Sequence, residues 1–174
     1  QFLFRISNLI IDHAPTRNWN SANLALEEVL SQIGNRFSAI DLSSVLFEND
    51  GTPKRGNLSL GLTLCSVGIY VFESSTGELV YVGQGGRKES TSLNDRILQE
   101  LRLYKKTQNG NNGGTISKNI QSIDEISFNS KDEWFRFLSN YRLRILHSDS
   151  WDVSINLIEA FVMEAVKPKY NINK

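Results

Sequence analysis

Two tyrosines in neighbouring apolar segments have a spacing that could serve chemistry. The chain carries the triplets GIY at 68–70 and YVG at 81–83, on either side of a polar break. Both segments are rich in Val, Ile, Tyr and Phe, so we expect two strands joined by a turn at 74–77. With a four-residue loop, Tyr70 lies directly opposite Tyr81 on one face of the hairpin. Such a pair is either a stabilising aromatic contact or part of a site.

An arginine and a glutamate on two later predicted helices are the other candidates. Arg96 lies on a helix predicted over 92–106, and Glu100 follows it by one turn, so an ordinary surface ion pair is an alternative role. Glu159 lies on a helix predicted over 154–166, where a helical wheel borders it with apolar side chains. A carboxylate in that position needs a partner, either a basic residue in a salt bridge or a metal ion. Oxygen ligands of this kind suit magnesium or manganese.

Taken together, these residues resemble the pattern of the GIY-YIG nuclease family. That family has two such triplets, an Arg on the following helix, and a Glu on a later helix with Pro and Asn beyond it. The matching residues here are Tyr70, Tyr81, Arg96, Glu159, Pro168 and Asn171, within about 67–171. Two positions depart from the pattern, because Glu100 stands where many members have His, and Gln84 stands where many have Lys.

The resemblance implies a divalent-metal-dependent DNA endonuclease that hydrolyses phosphodiester bonds. In the implied mechanism Tyr70 takes a proton from the attacking water, and Tyr81 orients Tyr70 or the water. Glu159 would hold one Mg²⁺ or Mn²⁺ ion on the scissile phosphate. Arg96 would stabilise the developing negative charge. A free tyrosine has a pKa of about 10, so the mechanism requires the metal ion and Arg96 to lower the pKa of Tyr70.

Length and pattern predict one domain of the α+β class. A chain of 174 residues with 40% apolar residues can bury one substantial core. We expect a small antiparallel sheet of about three strands flanked by helices, with the third strand at 141–146. Residues 1–66 are predicted as an N-terminal extension packed on the core. Residues 67–171 are predicted as a core like that of the nuclease family, with an insertion at about 107–140.

Local signals predict three further features. A helix capped by Asn20 or Ser21 runs to Ile33, and the Gly/Asn-rich segment at 109–114 is an irregular loop. Ser130 and Glu133 form a capping box at the start of another helix. The helix from Ser21 to Ile33 and the capped segment from Ser130 to Leu138 are candidate contacts for a homodimer, although the aromatic residues Trp134, Phe135 and Phe137 are more often part of the core.

The charge and composition of the chain indicate which classes of binding partner it can have. Nineteen basic and nineteen acidic residues cancel, which argues against a non-specific nucleic-acid binder. Seven cations and three anions lie between 84 and 118, a local net charge of +4. The candidate DNA-binding residues are Arg87, Lys88, Lys105, Lys106, Lys118 and Asn171. One cysteine and no apolar segment long enough for a bilayer favour a soluble, cytoplasmic protein without membrane contact.

Three functions fit these observations. A restriction-type, site-specific endonuclease acting as a homodimer on double-stranded DNA comes first, because no zinc pattern and no heptads announce a separate DNA-binding domain. A repair or homing-type, structure-specific nuclease domain is the nearest alternative. A non-catalytic nucleic-acid-binding module of the same fold is the third, motivated by Glu100, Gln84 and the neutral net charge. No small-molecule cofactor is expected beyond the metal ion.

Overall fold

The described part of the chain folds as an antiparallel sheet with helices on both faces. The computed structural model describes residues 37–62, 66–86, 92–107, 110–148 and 153–171. The strands are β1 (Ser38–Asp41), β2 (Val67–Glu73), β3 (Leu79–Gly85), β4 (Lys105–Thr107), β5 (Gly110–Asn112) and β6 (Arg142–Ser148). The helices are α1 (Leu42–Leu46), α2 (Leu93–Glu100), α3 (Thr115–Ile123), α4 (Lys131–Leu138) and α5 (Val153–Val166). None of the helices in these ranges is long and apolar enough to cross a membrane.

Four strands form the main sheet in the order β1-β6-β2-β3, and every neighbouring pair is antiparallel. The short strands β4 and β5 pair with each other as a separate ribbon. The α+β class is therefore confirmed, and the predicted strand count is corrected from about three to four. The additional strand, β1, has only four residues and is mostly exposed, so its sequence carries no strong strand pattern. Its hydrogen bonds to β6 are what make it a strand.

Alternation along β2 divides the apolar side chains between two cores. Tyr70 and Phe72 point into the larger core, which also receives the buried residues of α1, α2, α3 and α4. Ile69 and Val71 point into a smaller core that packs against α5. Because β2 is central in the sheet and covered on both faces, all seven of its residues are buried. This accounts for its nearly continuous apolar sequence.

The hairpin register differs from the predicted one. Tyr70 pairs with Gly83, and Phe72 pairs with Tyr81, so the expected Tyr70–Tyr81 pair is wrong by two positions. One of the two positions arises because Glu73 pairs with Leu79 rather than with Glu78, and the other arises from an irregularity after Phe72 that gives β3 one extra residue. The register suits Gly83, because a Cβ atom there would overlap the ring and hydroxyl of Tyr70. A shift of two positions keeps both tyrosines on the same face of the sheet.

The helix predicted over 92–106 is shorter than expected, since α2 ends at Glu100 and the chain enters β4. The segment 109–114, predicted as an irregular loop, supplies β5. Both differences arise where this segment folds back on the end of α2. The Gly114 N–H donates to the Arg102 carbonyl at 2.9 Å, and a Cβ atom on Gly114 would collide with the Glu100 backbone. Glycine is needed there for close backbone approach.

The other predicted elements have boundaries close to their predictions, whereas α1 and α3 were not predicted. The third predicted strand is β6, and the last predicted helix is α5. The Ser130 hydroxyl caps α4 by accepting the Glu133 N–H at 3.1 Å, as expected. The reciprocal bond of the capping box is displaced, because the Glu133 carboxylate accepts the N–H of Asn129 at 2.8 Å instead. The helix predicted near 21–33 lies outside the described residues.

Candidate functional site

The buried carboxylate of Glu100 joins residues from four elements. Arg96 Nη2 lies 2.7 Å from Glu100 Oε1. The hydroxyls of Tyr70 and Tyr81 each donate a long hydrogen bond of 3.4 Å to the same oxygen. The backbone N–H of Ile116 donates to Glu100 Oε2 at 3.0 Å. The Glu100 residue is 0% exposed. We call these four side chains and the Ile116 N–H the Glu100 cluster.

Local structure explains why these groups meet. The Ser92 hydroxyl starts α2 by accepting the Asp95 N–H at 3.0 Å, and one turn separates Arg96 from Glu100. A Cβ atom at Gly85 would crowd Leu93 at 2.7 Å, so this glycine lets α2 lie close to β3. The two glycines of β3 therefore have different purposes. Gly83 leaves room for the Tyr70 ring, and Gly85 leaves room for the helix that carries Arg96.

The first turn of α3 completes the cluster. Gly114 is the N-cap residue of α3 and has no side chain to cap the helix. Glu100, which lies 16 residues before Ile116, supplies the missing acceptor because its carboxylate accepts the Ile116 N–H. Free N–H groups at a helix N-terminus carry partial positive charge, which stabilises a nearby carboxylate. Two sources of positive charge, Arg96 and the N-terminus of α3, thus compensate the buried Glu100.

Both tyrosines of the cluster are held as neutral hydrogen-bond donors. Burial raises the pKa of Tyr70 well above its usual value of 10, and the neighbouring Glu100 charge raises it further. The same two causes raise the pKa of Tyr81. Arg96 acts in the opposite direction on both hydroxyls but is outweighed. In the protein alone, the pKa of Tyr70 is therefore shifted away from the phenolate that the implied mechanism needs.

We expect the free energy of unfolding to fall steeply above about pH 10. Unfolded tyrosines lose their protons there, whereas buried Tyr70 and Tyr81 retain theirs, so the folded state binds more protons than the unfolded state. Each such tyrosine lowers the free energy of unfolding by about 1.4 kcal/mol per pH unit. Urea unfolding between pH 6 and 11.5 measures this slope. Tyr70→Phe should remove one such contribution to the slope above pH 10 and leave the pH dependence of the free energy of unfolding between pH 6 and 8 unchanged. An unchanged alkaline slope would contradict the prediction.

Glu159 is placed differently from the three other predicted catalytic residues. It lies half-buried on α5, between Ile158 and Val162, which pack in the smaller core on the opposite face of the sheet from Tyr70. One turn earlier, Asn156 accepts a hydrogen bond from Gln84 at 3.0 Å, so this part of α5 lies beside the edge strand β3. The structure thus brings Tyr70, Tyr81 and Arg96 together and leaves Glu159 on a helix across the sheet.

Asn171 closes the free edge of β3. Its Oδ1 accepts the Val82 N–H and its Nδ2 donates to the Val82 carbonyl, both at 2.7 Å. The neighbouring Tyr170 N–H donates to the Val80 carbonyl at 2.8 Å. The side-chain amide of Asn171 replaces the backbone groups of a further strand and satisfies an otherwise unpaired edge. These contacts support a structural role for Asn171, and its predicted role in DNA binding stays a prediction.

Asn171→Ala should lower the free energy of unfolding by about 1–3 kcal/mol, because it leaves two polar groups of Val82 without their partners. Urea denaturation at neutral pH measures the loss. Asn140→Ala is the matched control, since the Asn140 amide binds backbone carbonyls of Arg136 and Phe137 in an exposed position. The control should change stability by no more than about 0.5 kcal/mol. Equal losses in the two variants would contradict a special role for Asn171.

The predicted DNA-binding cations are only partly covered by the structure. Lys105 and Lys118 are exposed, and Lys106 lies in β4. Arg87 and Lys88 lie outside the described residues. Lys105 lines a cavity of about 590 Å³ on the flank of α2, together with Arg102, Lys131 and an apolar wall that includes Leu98 and Phe135. The sequence did not point to Lys131, because this residue lies among four acidic residues in the segment that follows the basic one.

The described residues contain no group of three or more His, Cys, Asp or Glu side chains placed to hold a metal ion. A single carboxylate is nevertheless a suitable donor for Mg²⁺, which commonly uses one or two protein carboxylates and keeps several waters or substrate phosphate oxygens. The half-buried Glu159 fits that requirement. The Glu100 carboxylate does not, because its two oxygens already accept three hydrogen bonds and form the ion pair with Arg96.

Comparison with known proteins finds no match to a protein-family model, a curated protein or a solved structure. The interpretation of the Glu100 cluster therefore depends on the residues of this chain and on their chemistry.

Proposed function

We propose that this chain is a divalent-metal-dependent DNA endonuclease of the GIY-YIG type. The observation that supports this most is the convergence of Tyr70, Tyr81 and Arg96, which come from β2, β3 and α2. The sequence resemblance selected these residues by their order along the chain. Their meeting in space at one buried point is a separate observation, and it is the arrangement that catalysis by a group of residues requires.

Arg96 is the member of the cluster that a phosphate would meet first. Its side chain is 32% exposed, whereas the side chain of Glu100 is completely buried. A guanidinium group binds phosphate oxygens in a fixed geometry and stabilises the negative charge that develops during hydrolysis. The hydroxyls of Tyr70 and Tyr81 donate towards the same point and would orient the phosphate or the attacking water. Glu159 would hold the divalent ion, and because α5 lies across the sheet but beside the edge strand β3, the ion could polarise the phosphate only if the DNA reaches past that edge.

Tyr70 accepts a proton in this proposal only after its surroundings change. A phenolate beside Glu100 would place two negative charges in one buried site, which is unfavourable. The Glu100 carboxylate must therefore move away from Tyr70 or become neutral before Tyr70 can act as a base. This requirement follows from the contacts of Glu100 and distinguishes this chain from family members that have His at the same position.

Cleavage of supercoiled plasmid DNA tests the proposal. The wild-type chain should produce nicked or linear DNA with Mg²⁺ or Mn²⁺, and EDTA should abolish the reaction. The matched control is a chain carrying Glu159→Gln, which removes the proposed metal-binding charge and should require much higher metal concentrations. A folded wild-type chain that leaves the plasmid intact with either ion would refute nuclease activity.

We further propose that the endonuclease cuts at a specific DNA sequence and acts as a homodimer. Sequencing the ends of fragments from a long DNA, together with the mass of the DNA complex, tests it. Cuts at one recurrent symmetric site by two chains would support it, whereas cuts directed by branched or flapped structure would support the repair-type alternative. Among the described residues, Trp134 and Phe135 lend no support to a dimer contact, because they are 0% and 1% exposed within the larger core.

A non-catalytic nucleic-acid-binding module is the second candidate function. The ion pair between Arg96 and Glu100 favours it, because the pair neutralises the charge that catalysis would need. The two functions differ in a simple experiment. DNA binding without cleavage, in the presence of Mg²⁺ and with Arg96→Ala unchanged in affinity, would select the binding module.

In either function, we propose that DNA contacts the cations beside α2. Lys105 and Lys131 line the cavity on the flank of the helix that carries Arg96. Lys131 Nζ lies 4.7 Å from the centre of the Phe135 ring, so its ammonium group lies over the apolar wall. None of the residues of the Glu100 cluster lines this cavity, and Asp95 adds one carboxylate to its lining, so these cations would hold phosphates of the DNA at some distance from the one that Arg96 binds.

Replacing Lys105 and Lys131 by Gln should weaken DNA binding and flatten its salt dependence. Each lost phosphate contact reduces the slope of log K against log salt by about 0.9, so the double variant should lose about 1.8. Fluorescence titrations at several salt concentrations measure the slope. The matched control replaces Lys54 and Lys167, which do not line the cavity, and should retain the wild-type slope. Equal slopes for both double variants would place the DNA elsewhere.

A further inference from the structure

We propose that the Glu100 cluster is an anion-binding site that the chain fills with its own carboxylate. The donors are a guanidinium group on Arg96, the hydroxyls of Tyr70 and Tyr81, and the Ile116 N–H at the start of α3. Glu100 is the internal anion. Identifying the external anion as a substrate phosphate rests on the proposed function, whereas the existence of the anion site does not.

The number and direction of the donors support this inference. A helix-surface pair at this spacing needs only two side chains and contributes about 0.3–0.5 kcal/mol. Here four donors converge on a carboxylate that is 0% exposed, and one of them is a backbone group of another helix. Guanidinium groups, hydroxyls and helix N-termini are the groups that proteins use to bind phosphate and other anions.

Access to the site is asymmetric. Glu100 is enclosed, but the side chain of Arg96 is 32% exposed and its Nη1 donates to Gln99 Oε1 at 3.1 Å in an exposed position. An incoming anion therefore meets Arg96 before it meets any other donor of the cluster. It must then compete with Glu100 for the guanidinium group, because Arg96 Nη2 already lies 2.7 Å from the Glu100 oxygen.

The opposite charges of Glu100 and Arg96 determine how strongly the cluster attracts an external anion. With Glu100 present, its negative charge cancels that of Arg96, so an external phosphate finds no net attraction in the cluster. Without the carboxylate charge, Arg96 and the N-terminus of α3 would be left as uncompensated positive groups. Glu100 thus acts as a built-in competitor that keeps the affinity of the site for free anions low, and its displacement is the step that opens the site.

Titration with inorganic phosphate tests this inference without DNA or metal. Calorimetry should show phosphate binding to Glu100→Ala at least tenfold tighter than to the wild-type chain, at constant ionic strength set with chloride. Glu100→Gln removes the charge while retaining the side-chain volume, and it carries the test if the alanine variant does not fold. Glu164→Gln is the matched control, because it removes an exposed carboxylate of the same kind and should leave phosphate affinity unchanged.

Adding Arg96→Gln to Glu100→Gln should remove the gain in phosphate affinity. A folded Glu100 variant that binds phosphate no more tightly than the wild-type chain would overturn the inference, as would a gain that survives the loss of Arg96. Plasmid cleavage is scored separately. Tighter phosphate binding by the Glu100 variants together with no cleavage by the wild-type chain would retain the anion site and refute the nuclease, whereas cleavage by the wild-type chain without the gain in binding would refute the anion site alone.

Discussion

Arg96→Ala lowers the free energy of unfolding by about 3 kcal/mol, which is the largest stability effect that we expect from one substitution in the cluster. Removing one partner of a buried ion pair leaves an uncompensated charge, and such losses are about 3–5 kcal/mol. The lower end applies because the Arg96 side chain is 32% exposed, whereas Glu100 stays completely buried. Urea denaturation at pH 7 measures the loss.

Two further variants show whether burial is the cause. Arg142→Ala breaks an ion pair of 2.9 Å with Asp41, in which the two side chains are 47% and 66% exposed, and should cost much less stability than Arg96→Ala because water screens an exposed pair. Combining Arg96→Ala with Glu100→Gln should give a chain more stable than Arg96→Ala alone, because the uncompensated charge is gone. A loss below about 0.5 kcal/mol for Arg96→Ala would indicate an ordinary surface pair.

If the chain has the proposed nuclease activity, we expect Tyr70→Phe to reduce the rate of plasmid cleavage about 1,000-fold, within the range of 10²–10⁴ for loss of a general acid or base. The substitution removes one hydroxyl and keeps the ring, which packs edge-on against Phe72 with centroids 6.1 Å apart and lies beside Gly83. The fold should therefore persist. Single-turnover cleavage with Mg²⁺ gives the rate, and circular dichroism with urea denaturation reports the fold.

Tyr104→Phe is the control for this prediction, since Tyr104 precedes β4 and is not a member of the Glu100 cluster. It should cleave at the wild-type rate. Wild-type cleavage by Tyr70→Phe would show that the hydroxyl serves only to bind Glu100. Loss of cleavage together with loss of cooperative unfolding would show that Tyr70 is a structural residue, in agreement with an aromatic contact in the hairpin.

Local patterns were sufficient for β2, β3 and α2, which carry the side chains of the cluster, but no local pattern predicted α3, which supplies the Ile116 N–H. The apolar runs and the turn at 74–77 predicted the hairpin, and the spacing of Arg96 and Glu100 predicted a pair on one side of a helix. These predictions succeeded because alternation in strands and a repeat of 3.6 residues in helices depend only on neighbouring residues. The sequence by itself thus determined which residues were candidates and which elements carry them.

Only the tertiary structure decided how these candidates are arranged. The hairpin register depends on the Tyr70 ring lying beside Gly83, and the burial of Glu100 depends on the first turn of α3 folding back over the end of α2. The position of Glu159 depends on which face of the sheet α5 covers. The repeat of apolar residues along a strand or helix does not encode the register, the burial of Glu100 or the face that α5 covers, because each of these contacts joins residues that are distant along the chain. The same spacing of Arg96 and Glu100 would suit an exposed ion pair, and long-range packing turned it into a buried one.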